Sequence, residues 1–276
     1  MTISWYPGHM NKAKKELSKL AKNSDLIIEL LDARVPNASR NPLLSSIATN
    51  LPRIYILNKA DLANSNTTNH WHKYFQSQSS NSCLINSMHN PISAEKLLAI
   101  VIDRVKEKSS GDSLEIIISG IPNVGKSTFL NTLCGRKIAK TGNEPAITKG
   151  QQRIKLKDNV YLIDTPGLMW PKLEDQEAAY KLAALGTIRN TALDIEDVAW
   201  FTVEYLLKQE DKALRRRYKL GKTIQTPEQV FETIGSSAGA IGKGGNIIYH
   251  KVAETLLNDL RSGKLGVFSL ESPPVS

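Results

Sequence analysis

The sequence predicts an α/β protein: a mostly parallel sheet with helices on both faces, continued by an all-α region. Three observations carry this. Short β-rich runs recur through the first 170 residues, with helically spaced segments between most of them. Beyond Pro171 the strand pattern stops and only helical spacing remains. A G-x-x-x-x-G-K-S stretch follows one of the runs and opens a helix, the arrangement of a phosphate-binding loop on such a sheet.

The runs read as strands are 26–31, 53–57, 83–85, 115–119, 153–156 and 160–163, each ending in polar or glycine residues. Segments 94–108 and 127–133 have helical spacing between them. Ahead of the first strand, Lys12, Lys15, Lys19 and Lys22 recur at helical spacing, with Ala13, Leu17 and Leu20 on another face. Helices are expected over 174–189, 194–209, 226–234 and 247–261. Thr226-Pro227-Glu228-Gln229 supplies a hydroxyl cap, a proline at the first helical position and a glutamine able to close a capping box. The boundary falls near Trp170-Pro171, giving domains 1–170 and 171–276, and 271–276 reads as a frayed tail.

Composition narrows the function. With 41% hydrophobic and 23% charged residues the chain is of globular type, which excludes wholesale disorder. No apolar run is long enough for a membrane helix, and neither a lipidation motif nor a helix with a large aromatic face points to a membrane. Cys83 and Cys134 sit in apolar stretches and fit a reducing compartment, so a cytoplasmic protein is expected. The net charge is +9, and the excess is local: residues 1–170 hold 22 Lys/Arg against 13 Asp/Glu, residues 171–276 hold 14 of each. Such a balance favours a polyanionic partner.

The motifs define a nucleotide site. In Gly120-Ile121-Pro122-Asn123-Val124-Gly125-Lys126-Ser127-Thr128, successive backbone N–H groups can wrap phosphates. Lys126 can reach the outer phosphates and the Ser127 hydroxyl can bind Mg²⁺. Thirty-eight residues beyond Lys126, a strand ends in Asp164-Thr165-Pro166-Gly167. Asp164 can hold Mg²⁺ through water, and the Gly167 amide can sense a γ-phosphate. Between them Thr148 is the candidate switch threonine, closing over Mg²⁺. Base choice rests on Asn58-Lys59-Ala60-Asp61: the Asp61 carboxylate can accept from the N1–H and 2-amino group of guanine, Asn58 meets the opposite edge, and Lys59 packs on the ring. Asn86 and Ser87 would add backbone contacts to the guanine O6. GTP is therefore favoured over ATP.

The order of these motifs is unusual. Asn58 lies 62 residues before Gly120, whereas ordinary G domains place the base motif last, so this is a circularly permuted P-loop G domain. The permutation is tolerable because the ligand binds at the carboxyl ends of parallel strands, whatever their order in the chain.

WYPGHM at 5–10, DARVP and RNP within 32–42, NKAD, GIPNVGKST, DTPG with WPK through Lys172, and GKGG before the last helix together resemble the ribosome biogenesis GTPase A (RbgA/YlqF) family, over nearly the whole chain. The resemblance implies GTP hydrolysis stimulated by the large (50S) ribosomal subunit, contact with ribosomal RNA, and a helical C-terminal domain used in that contact. DTPG is followed by Leu168, which cannot orient a water, and the resemblance implies that His9 replaces the usual glutamine. Read alone, a histidine near a terminus is commonly surface decoration. Asn123 resembles positions that help bind K⁺ in related GTPases. The chain departs from the family pattern at Ala146, where glycine is usual, and at Met88, where a smaller residue is commoner. A monomer that binds neither membrane nor DNA is expected. Two other readings stand beside this one: a GTP-regulated binding module for a protein or another RNA, with incidental hydrolysis, and an RNA-modifying enzyme, for which no second catalytic constellation is evident. The remaining histidines lack ligand partners, and His70-Trp71-His72 reads as exposed helix surface.

Overall fold

Six strands form one sheet in the order β3-β2-β1-β4-β6-β5: β1 (Leu26–Asp32), β2 (Arg53–Asn58), β3 (Asn81–Ile85), β4 (Leu114–Gly120), β5 (Gln152–Lys157) and β6 (Val160–Asp164). The computed structural model describes residues 8–78, 81–105, 113–138, 152–165, 175–187, 194–209 and 212–274, with side chains from residue 14 onward. β1, β2, β3, β4 and β6 run parallel, and β5 is an antiparallel edge beside β6. The chain winds outward in opposite directions from the central pair β1 and β4, so the loops after these strands diverge and leave a crevice at their carboxyl ends.

Every residue of β1 and β2 is buried, as expected for parallel strands covered on both faces. On one face Leu17 of helix α1 (Gly8–Lys22) packs with Ile27, Ile117 and Leu44 of α2 (Pro42–Ile47). Farther along, Leu31, Tyr55, Leu57 and Cys83 pack with Trp71 and Phe75 of α3 (Ser65–Ser77). The alternate residues Leu26, Ile28, Leu30, Ile54, Ile56, Ile116 and Ile118 are fully buried too. α4 (Ala94–Val105) and α5 (Lys126–Leu133) bury Leu97, Leu98, Val101, Phe129 and Leu130.

Two sequence expectations change here. His70-Trp71-His72 is not a uniformly exposed surface: Trp71 is buried, and a His72 ring nitrogen lies 3.0 Å from the Cys83 carbonyl. His9 lies in the first turn of α1. Glu271 is not part of a frayed tail. Residues 271–274 belong with the sheet, so the sheet unit comprises 8–165 and 271–274 of the described residues, and 175–270 form a second unit. The Glu271 carboxylate accepts the N–H groups of Asn37 and Ala38 at 2.7 and 3.1 Å, and its carbonyl accepts from Trp71 Nε1 at 3.3 Å.

The second unit is helical: α6 (Gln176–Ala184), α7 (Ile195–Lys208), α8 (Lys212–Arg217), α9 (Pro227–Ser237) and α10 (Tyr249–Ser262). Asp175, Asp194 and Thr226 cap α6, α7 and α9 with their side-chain oxygens, and the Thr226–Gln229 capping box forms. Phe231 stacks near Trp200 and Tyr249, with ring centroids 5.5 and 5.7 Å away. Arg261 donates to the Ala183 and Ala184 carbonyls at the end of α6. The buried Asp259 carboxylate accepts from Arg217 and Tyr218. Among the described residues, no helix is long and apolar enough to cross a membrane.

Candidate nucleotide site

The candidate residues converge at the carboxyl ends of β1, β2, β3, β4 and β6. Asn58, the last residue of β2, donates its amide to the Val124 carbonyl at 2.8 Å and accepts from Asn86 Nδ2 at 2.6 Å. One side chain thus ties the base motif to the phosphate loop and to the end of β3. Asn86 also accepts from the Ile92 N–H, and its carbonyl receives the Ala60 N–H. Lys59 adopts a left-handed backbone, φ 58°, and its ammonium donates to the Asn123 carbonyl at 2.5 Å. Asp61 accepts the Met88 N–H at 3.1 Å, which places its carboxylate beside Ser87. Met88 is exposed.

Two glycines of the loop are required by close approach. A Cβ at Gly120 would lie 3.1 Å from the Leu30 carbonyl of β1. At Gly125, φ is 92° and a Cβ would lie 2.6 Å from Asn58 Nδ2. Asn123 also takes a positive φ, 61°. The loop then enters α5, whose first residues are Lys126, Ser127 and Thr128; Lys126 is buried, Ser127 half-buried and Thr128 exposed.

Lys126 Nζ pairs with Asp164 Oδ1 at the end of β6. Burial raises the Asp164 pKa, against the lowering effect of Lys126. The other oxygen, Asp164 Oδ2, is buried without a hydrogen-bond partner among the described residues. A hard, oxygen-seeking cation suits that donor, so Asp164 and the Ser127 hydroxyl fit Mg²⁺. When bound, Mg²⁺ supplies charge neutralisation at the phosphates. The protein supplies the fixed carboxylate and the lysine. Thr148 and Gly167 lie outside the described residues, as does the His9 side chain.

The structure adds groups to which the sequence reading gave no role. Asp32, the last residue of β1, lies opposite Asn58 in the parallel register. Its carboxylate receives Arg34 Nε and Nη2, both at 2.8 Å, and Lys59 Nζ at 3.1 Å. Burial opposes its charge, but Arg34 and then Lys59 outweigh burial and hold the carboxyl well below the usual range. Lys59 itself is lowered by burial, against the raising effect of Asp32. Glu29, fully buried in β1, accepts from the Asn41 N–H and from Arg53, and burial raises its pKa. A clue was present in the sequence: charges inside the run Leu-Ile-Ile-Glu-Leu-Leu-Asp demand partners once the strand is buried.

A permuted motif order on a parallel sheet, with the base motif hydrogen-bonded to a phosphate loop, defines a P-loop GTPase. Residues 115–230 match the family model described as a 50S ribosome-binding GTPase. The chain is 40% identical to ribosome biogenesis GTPase A of Priestia megaterium, covering 99% of this chain and 98% of that protein. It is 39% identical to the Bacillus pumilus protein of the same name, over 99% of each. In fold it resembles the GDP-bound structure of TM YlqF, with a TM-score of 0.66 at 22% identity, covering 94% of this chain and all of that one. The GNP-bound YlqF from T. maritima gives 0.64 at 22% identity, covering 96% and 100%. The chain belongs to the ribosome biogenesis GTPase A family, whose members are GTPases acting in ribosome biogenesis. GTP is the substrate, and Mg²⁺ is the metal typical of such enzymes.

Proposed function

We propose that this GTPase is a cytoplasmic, monomeric assembly factor for the large (50S) ribosomal subunit, binding ribosomal RNA and hydrolysing GTP in response to the subunit. The observation that carries the RNA reading is the exposed face of α1, where Lys14, Lys15, Lys19 and Lys22 stand on the unit that holds the nucleotide site. Leu17, on the opposite face, is buried in the core. Phosphate neutralisation by such a row is independent of sequence and falls steeply with salt. The name of the relatives and the description of the family model favour a ribosomal polyanion over any other. In the helical unit, exposed Arg216 on α8 is the natural further phosphate contact, since Arg217 is paired with Asp259. We assign 1–170 the nucleotide chemistry and 171–276 a share of the RNA contact, with residues 271–274 returning to the sheet unit.

Within that function Asp61, Asn58 and Lys59 read guanine, Asn86 and Ser87 add backbone contacts, and Asn123 through Thr128 hold the phosphates. Thr148 and Gly167 sense the γ-phosphate. His9 polarises the attacking water, since Leu168 cannot. A K⁺ ion beside Asn123 supplies positive charge at the phosphates, and equal turnover in Na⁺ and K⁺ would refute it. The function is tested by co-sedimentation with large subunits in GDP, in a nonhydrolysable GTP analogue and without nucleotide. Retention in the analogue is expected. Absence from the subunit peak in all three states would overturn the reading.

A further inference from the structure

We propose that Asp32 is a positioning residue of the base site: its carboxylate fixes the Lys59 ammonium, and through it the lysine stem that lies against the purine. The inference rests on the reading of residues 58–61 as the guanine site. Lysine has a flexible four-carbon stem, and a stem that packs on a base is useful only if its head is held. Here the head has two anchors from different elements. One is the Asn123 carbonyl of the phosphate loop, at 2.5 Å. The other is Asp32 Oδ2, at 3.1 Å from the end of β1.

The second anchor is itself built. Arg34 grips Asp32 with two parallel bonds of 2.8 Å, and the Arg34 N–H adds a third at 3.1 Å. The Asp32 N–H donates to Ser39 Oγ, whose hydroxyl donates to the Val35 carbonyl at 2.7 Å. Asp32 and Arg34 side chains are only 4% and 2% exposed. A bidentate arginine sets the plane of the carboxylate, so the remaining lone pair of Oδ2 points one way, toward Lys59.

Neutralising Asp32 needs only Arg34. With Lys59 added, two cations share the one Asp32 carboxylate next to the phosphate loop, and the Asp61 charge acts on the same ammonium. The backbone agrees with the side chains: the Ala33 N–H donates to the Asn58 carbonyl at 2.9 Å, which locks the turn after β1 to the start of the base motif.

The test is a double-mutant cycle of Asp32→Asn and Lys59→Met, read by steady-state GTP hydrolysis and by equilibrium binding of a fluorescent GDP. Asp32→Asn is expected to raise KM for GTP and Kd for GDP about tenfold, the loss of one charge-assisted bond, with kcat unchanged. In the Lys59→Met background it is expected to add nothing, because the group it positions is gone. Asp32→Glu keeps the charge against Arg34 but moves the carboxylate by one methylene, and provides the second variant should Asp32→Asn fail to fold. Additive effects, or kcat falling with KM unmoved, would make Asp32 merely structural and overturn the proposal. Asp61→Asn separates the two levels. If it shifts preference from GTP to xanthosine triphosphate while both Asp32 variants keep the wild-type KM, only the positioning role falls. If it leaves base preference unchanged, the guanine site falls and the Asp32 role with it.

Discussion

The Glu271 carboxylate holds the Asn37 N–H at 2.7 Å across 234 residues of chain. The acceptor closes the loop between Asp32 and Asn41, whose own N–H is held by Glu29. The loop that carries Arg34 is therefore fastened at its middle by Glu271 and at its far end by Glu29, both buried carboxylates.

Glu271→Ala should leave the N–H groups of Asn37 and Ala38 without their acceptor. A buried donor left unsatisfied costs about 1–3 kcal/mol. The urea midpoint should fall accordingly, and removal of 271–276 should destabilise further by also exposing Trp71 Nε1. An unchanged midpoint in both forms would mean that the tail contributes nothing to the fold.

Gly125→Ala should damage the base site from within the phosphate loop. A β-carbon at φ 92° is strained by about 1–2 kcal/mol, and it would stand 2.6 Å from Asn58 Nδ2. Asn58 then has to give up the Val124 carbonyl. Affinity for fluorescent GDP should drop at least about tenfold while the helical unit keeps its circular dichroism. Wild-type affinity would show that the close approach is not maintained in solution.

These relationships differ in how visible they are along the chain. The phosphate loop, the base motif and the Thr226 capping box are local patterns, and local geometry forces a few residue types at fixed spacings. The central strands were legible because burial on both faces leaves a mostly apolar run, whereas the edge strand β5 shows only one buried position in an exposed, charged segment. Trp71 misled, because a polar-looking helix of Ser, Asn, Thr and His turns only a narrow stripe of Thr68, Trp71 and Phe75 inward. Glu271 and Asp32 were assigned no role for a different reason. Their partners are chosen by tertiary proximity, and no spacing rule connects residue 271 to residue 37.

Cys83 provides a pH signature of the core. Burial between Tyr55 and Trp71 pushes its thiol up to about 12. A raised folded pKa favours the protonated form, so its contribution is intact below the unfolded thiol value and is lost as pH rises toward 12. Between pH 9 and 11 stability should fall by up to about 1.4 kcal/mol per pH unit from this group alone. Comparing urea unfolding of wild type and Cys83→Ala across that range isolates the slope. Identical slopes would show that the thiol ionises freely in the folded protein.

The pairing of Lys126 with Asp164 makes a prediction about metal use. One oxygen of Asp164 is committed to Lys126, and the other is buried without a hydrogen-bond partner among the described residues. Phosphates drawn to Lys126 compete for its ammonium and release carboxylate charge for Mg²⁺. Asp164→Asn keeps the shape of the side chain but removes that charge. Binding of GDP in EDTA should change less than threefold, since the loop N–H groups and Lys126 remain. The Mg²⁺ concentration for half-maximal GTP turnover should rise by an order of magnitude or more, the effect of losing a charged ligand from a hard-cation site. A Mg²⁺ titration of turnover in wild type and variant decides it. Coincident titration curves would mean that Asp164 serves Lys126 alone and that the metal is held elsewhere.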